Sequence, residues 1–116
     1  LLLYKYLQNN GQKVTFEAIK KPECKFDDNM APLQEALRHE KFITACINNI
    51  YAAANSDNDY RTMQLLDWFV KEQGEEEKNA SDLVTKMELF GDDSRALYML
   101  NSELKARAYS PASLEI

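Results

Sequence analysis

Leu33, Leu37, Glu40, Thr44, Ile47, Tyr51 and Ala54 follow one another in unbroken steps of four and three. An α-helix turns once in about 3.6 residues, so this series forms one stripe along one side of a helix. Regular alternation of four and three is the seam of a helix packed lengthwise against another helix. A strand would need a period of two, which is absent here. A second series, Met63, Leu66, Val70, Gln73, Glu76 or Glu77, Ala80, Leu83, Val84 and Met87, repeats the pattern further on. Two long helices with facing seams predict an all-α chain. Both seams turn polar near their middle, at Glu40 in the first and at Gln73 with Glu76 or Glu77 in the second.

The ends of these helices are marked in the sequence. Asp28 and Asn29 are capping types, and Pro32 suits a first turn, so the first long helix is expected over 31–55. Asn55-Ser56-Asp57-Asn58 reads as a turn and the next cap. The second helix is expected over 58–88, and Phe90-Gly91 would close it with a C-cap glycine. Asp92, Asp93 and Ser94 can cap a shorter helix over 93–107, with Ala96, Leu97, Met99, Leu100 and Leu104 apolar. Residues 108–116, with Pro111, read as a tail. At the other end, Leu1 to Leu7 reads as the last two turns of an amphipathic helix over 1–9, stopped by Asn10-Gly11. It opens without a cap, so the expectation is that this helix continues upstream of Leu1.

The stretch 10–30 has no helical pattern; Val14, Phe16 and Ile19 stand apart among polar residues. A connection of about 20 residues is long for a compact domain. Extended at roughly 3.3 Å per residue it spans about 60 Å, more than the roughly 38 Å of a 25-residue helix. It can therefore carry the chain from one end of a bundle back to the other and leave its flanking helices parallel.

Composition removes several function classes. The chain has 14 Lys+Arg against 19 Asp+Glu, which offers no basic face to a nucleic acid. No apolar run approaches the roughly 18 residues of a membrane span. Cys24 and Cys46 are too few and too distant for a disulfide framework or a zinc ribbon, and read as free thiols in a reducing compartment. No nucleophile has a placed base, and no glycine-rich phosphate loop occurs. His39 reads as a surface or interface residue, and Trp68, Phe69, Met63, Met87 and Met99 as packing.

What remains is the pair of interrupted seams. An ionised carboxylate inside a bundle is costly unless it is paired or binds a cation. Glu40 and Glu76 (or Glu77), with Gln73, place oxygen donors at mid-height on two adjacent helices, a donor set suited to iron, manganese or calcium rather than zinc. The simpler alternative tilts Glu40 into solvent or pairs it with Lys41. Likewise Glu72, Glu75, Glu76 and Glu77 read as a charge run on a solvated face, with Lys71 and Lys78 beside them. The four cannot all face outward, because each residue turns the helix by about 100°.

The motifs themselves resemble a known family. Ala36-Leu37-Arg38-His39-Glu40-Lys41-Phe42-Ile43-Thr44 is similar to the third bundle helix of ferritins. Leu66 to Glu77, containing Trp68-Phe69-Val70-Lys71-Glu72-Gln73-Gly74-Glu75-Glu76-Glu77, resembles the fourth-helix signature of bacterial ferritins. Lys13 to Pro22 looks like the start of the family's long crossover, and Gly91 to Leu104 like its short fifth helix. The resemblance runs to about Arg107 and implies a ferritin-like four-helix bundle whose N-terminal helices precede Leu1. The segments above become the end of the second helix, crossover, third, fourth and fifth helices, with the domain over 1–107.

The resemblance also implies a function. The family oxidises Fe(II) with oxygen or peroxide at a di-iron centre and stores ferric mineral inside a cytoplasmic cage of twenty-four identical subunits. By motif position Glu40 would hold iron from the third helix. Gln73 would support the centre, and Glu76 would bind at or toward a third iron site. Glu72 and Glu75 would belong to that third site. The catalytic set is then Glu40, Gln73 and Glu76, and the metal set adds Glu72 and Glu75. The family's remaining ligands, a Glu and a Glu-x-x-His, would lie upstream of Leu1. Asn79 stands three residues after Glu76 where bacterioferritins have His, which favours the non-haem branch. The acidic lining of the animal ferritins' three-fold channel has no counterpart around Tyr60–Leu66, where Arg61 alone is charged. Two other readings stand beside this one. One is a catalytically incomplete ferritin fragment or structural cage subunit without ferroxidase activity. The other is a plain helical interaction module.

Overall fold

The computed structural model describes all 116 residues. It contains four helices and no strand: α1 (Leu2–Asn9), α2 (Met30–Ser56), α3 (Tyr60–Phe90) and α4 (Ser94–Lys105). No helix is long and apolar enough to cross a membrane. The chain divides into two compact units, one of residues 1–25 with 108–116 and one of residues 26–107.

In the first unit, α1 ends as its sequence requires. Gly11 takes a φ of +70°, a conformation that costs a residue with a Cβ about 1–2 kcal/mol. Its N–H donates to the Gln8 carbonyl at 3.0 Å, and the Gln12 N–H reaches back to the Leu7 carbonyl at 2.9 Å. These two bonds make a Schellman closure that satisfies carbonyls the helix would leave open. Beyond the turn, Phe16 stacks on Tyr4 with ring centroids 5.8 Å apart.

The second unit is built on α2 and α3. Asp28, not Asn29, caps α2: its Oδ1 accepts from the Ala31 N–H at 2.8 Å, while Asn29 already has helical angles. One turn on, the Arg38 guanidinium clasps Glu35 and holds that carboxyl below the usual range. The helix runs on through Asn55 and Ser56, which the sequence reading gave to the turn. The turn is shorter, with Asn58 at φ 55°, and the cap is Asp59. Asp59 accepts from the Thr62 hydroxyl at 2.5 Å and the Thr62 N–H at 3.1 Å, which keep its carboxyl below its ordinary range. So short a link makes α2 and α3 antiparallel neighbours.

The seam of α2 is covered along its length, with Ala54 buried and its other six members half-buried. The seam of α3 follows Leu66, Gln73 and Ala80, all buried; of the two carboxylates expected there Glu77 takes the place, and Val70 departs from the expected seam. Val70 and Glu76 are exposed, whereas Phe69 and Glu77 are half-buried in their place. At about 100° per residue, Phe69 and Glu77 lie roughly 40° from the direction of Gln73, whereas Val70 and Glu76 lie roughly 60° from it, so the four-residue neighbours of Gln73 face α2 more closely.

Helix α3 does not end in a left-handed glycine as the sequence suggested. Gly91 has right-handed helical angles, φ −62° and ψ −21°. Its lack of a side chain matters for another reason, since a Cβ there would lie 2.5 Å from the Met87 carbonyl oxygen. Asp93 then caps α4 through the Arg95 N–H at 2.8 Å. Lys86 of α3 donates to Glu103 of α4 at 2.6 Å. On α4, Ala96, Leu97, Leu100 and Leu104 are half-buried, but Met99 is 71 % exposed and packs against no core.

Candidate metal centre

Halfway along the α2–α3 pair the seams meet in hydrogen bonds rather than apolar contacts. Gln73 is the one buried polar residue of the chain. Its Nε2 donates to the Glu40 carbonyl oxygen at 3.0 Å and to Glu40 Oε2 at 2.7 Å. An amide nitrogen has two N–H groups, so one side chain satisfies both contacts. Glu40 is thus held by Gln73 and forms no ion pair with Lys41, contrary to the simpler alternative. One oxygen of its carboxylate, Oε1, stays open.

Glu40 and Glu76 line a common hollow of about 190 Å³, together with Leu33, Asn79, Leu83 and Arg107. Beside it, Glu77 Oε2 accepts from the Thr44 hydroxyl at 2.7 Å. The expected site residues are therefore distributed unevenly. Glu40 and Gln73 are bonded, and Glu76 shares the hollow with Glu40. Glu72 is half-buried and Glu75 exposed. No three His, Cys, Asp or Glu side chains of residues 1–116 converge on one point. His39 is exposed and stacks on Phe42. The cysteines are both free thiols. Thr44 is the polar residue the sequence reading passed over: it stood in the α2 seam one turn beyond Glu40, the position from which a hydroxyl can cross to the next helix.

Chemically, the arrangement lines one hollow with two carboxylate residues, Glu40 and Glu76, and with the basic Arg107. Such oxygen donors suit a hard cation such as Fe(II) and bind Fe(III) more strongly still. The hollow can admit an ion with water, and Gln73 fixes one donor in advance. Two carboxylates are the oxygen-donor type that suits iron as substrate, although fewer than three such groups converge in residues 1–116.

Further along the same interface, the Tyr51 hydroxyl donates to Asp67 Oδ1 at 2.9 Å. That bond pushes the phenol above its ordinary range, with desolvation adding to the effect.

An all-α chain with a long irregular connection and oxygen donors set into the seam of two antiparallel helices points to a ferritin-like protein. Residues 2–90 match the ferritin-like domain, and the chain belongs to that family. It is 32% identical over 108 residues to the bacterial non-heme ferritin of Staphylococcus epidermidis, covering 93% of this chain and 65% of that protein. To the bacterial non-heme ferritin of Staphylococcus aureus it is 33% identical over 107 residues, covering 92% and 64%. Among solved structures it matches an open pore ferritin from the hyperthermophilic archaeon Archaeoglobus fulgidus. There the TM-score is 0.89 at 33% identity, covering 92% of this chain and 66% of that one. A humanized archaeal ferritin matches with a TM-score of 0.90 at 32% identity, covering 93% and 66%. The chain thus spans about 65% of the length of the first of these curated relatives. Its fold is that of the ferritin bundles.

Proposed function

We propose that this chain contributes the third- and fourth-helix half of a ferroxidase centre. There Fe(II) is oxidised by oxygen or peroxide, and the ferric product is stored inside a cytoplasmic cage of identical subunits, twenty-four by analogy with the family. The observation that carries this is the Gln73–Glu40 pair beside Glu76, because a carboxylate anchored by a buried amide with one oxygen left open is a ligand prepared for a cation. Glu40 binds one iron of the di-iron centre. Glu76 binds at its edge or at a third iron site together with Glu72 and Glu75. A first-helix Glu and a second-helix Glu-x-x-His complete the set. The centre needs no haem. The uncovered faces of α2 and α3, where Val70 and Ile50 are exposed, are where further helices of the bundle pack.

Iron chemistry needs no general base here. Each carboxylate lowers the charge of the bound ion and favours Fe(III), and two adjacent irons can share one oxidant. Anaerobic Fe(II) loading followed by an oxygen pulse tests the reading in the intact protein. Oxygen uptake should track added Fe(II) with a fast phase that Glu40→Ala and Glu76→Ala both lose. Iron storage with oxygen uptake no faster than that of free Fe(II) would instead establish a structural subunit or incomplete fragment without ferroxidase activity.

A further inference from the structure

We infer that Thr44 and Glu77 form the second arm of a crossed brace that sets the axial register of α2 against α3, and so positions Glu40 relative to Glu76. The inference rests on the iron-site reading above. The short link from Ser56 to Tyr60 folds α3 back along α2 and sets which residues of the antiparallel helices stand level. Counting from it, Glu40 is roughly level with Glu76, and Thr44 with Glu72. The bonds do not run between level residues. Gln73 reaches one turn along the axis to Glu40, and Glu77 reaches more than one turn the opposite way to Thr44.

Two diagonal struts of opposite slant resist sliding in both directions. Moving α2 toward either end of α3 lengthens one bond whichever way it moves. A single strut would leave one direction soft. The hydroxyl of Thr44 has one proton and two acceptors in reach, the Glu40 carbonyl at 3.0 Å and Glu77 Oε2 at 2.7 Å. The shorter contact to an ionised oxygen is the stronger, so the proton goes to Glu77. Glu77 acts on the metal through geometry: it fixes how far the Glu40 oxygen stands from the Glu76 carboxylate.

The test is anaerobic titration of the intact protein with Co(II) alone, read by its visible d–d absorption, with circular dichroism to confirm folding of each variant. Thr44→Val and Glu77→Ala should weaken Co(II) binding about 10- to 100-fold, the usual cost of losing a group that orients a ligand. Thr44→Ser and Glu77→Gln keep a donor and an acceptor in place and should restore binding. If Glu77→Gln loses as much as Glu77→Ala, the charge of Glu77 acts directly and the brace is wrong. Wild-type binding unchanged by Thr44→Val also overturns the brace while leaving the iron site standing. A wild type that binds no Co(II) overturns the site reading, and the brace with it.

Discussion

Gln73 shows how much one side chain can settle. It is buried, and all its donor capacity goes to one residue of the neighbouring helix. Replacing it with Ala leaves the Glu40 carboxylate without its amide partner. Stripping a partner from such a group costs about 1–3 kcal/mol, so Gln73→Ala should lower the denaturant midpoint without changing the slope. An unchanged midpoint would mean that water replaces the amide at no cost. Tyr51 offers a check that needs no metal. Its phenol is raised by Asp67, so the folded state holds that proton more firmly than the unfolded one. The resulting stability is fully present below the ordinary phenol range near pH ~10 and is lost as the pH rises through the higher folded value. Asp67→Ala should return the Tyr51 ionisation toward lower pH in a spectrophotometric difference titration, and identical curves for the two proteins would contradict the bond.

The helices are bounded by devices of different kinds. Gly11 closes α1 because a left-handed angle is needed. Gly91 follows α3 because its position leaves no room for a Cβ. Gly91→Ala should therefore destabilise the junction by about 1–3 kcal/mol, the usual range for forced overpacking. The loss should fall on the last turn of α3 and on α4, read by faster amide exchange there with α2 unaffected. Uniform loss of protection across both helices would show that the junction is not a local unit. Asp93 caps α4 and Asp28 caps α2, each from among the residues expected, whereas at α3 the cap is Asp59, one residue beyond the expected turn of 55–58.

In the unit of residues 26–107, Ala54, Leu65, Leu66 and Ala80 are the only buried apolar residues. Phe42, Ile50, Val70, Leu89, Phe90, Tyr98 and Met99 remain exposed. An antiparallel helix pair with this much apolar surface open to water is stable only when other helices or subunits cover it. Light scattering on the purified protein should therefore give a particle many times the mass of one chain, and a monodisperse single chain would sink the cage reading. Within the pair, Leu66 is 2 % exposed, so truncation to Ala should cost about 2–5 kcal/mol in a folded assembly.

The sequence alone determined what depends on neighbours along the chain. Residues three and four apart share a helix face whatever packs on it, so the seams of Leu33–Ala54 and Met63–Met87 and the polar residues Glu40 and Gln73 within them were legible from spacing. The family, too, was legible in the run from Trp68 to Glu77. Tertiary structure decided what depends on distances between helices. Whether Glu76 or Glu77 turns inward rests on a rotation smaller than the 100° between them, which packing sets and no local pattern records. That Gln73 reaches Glu40 while Glu77 reaches Thr44 rests on the register of two helices, and register is a property of the pair.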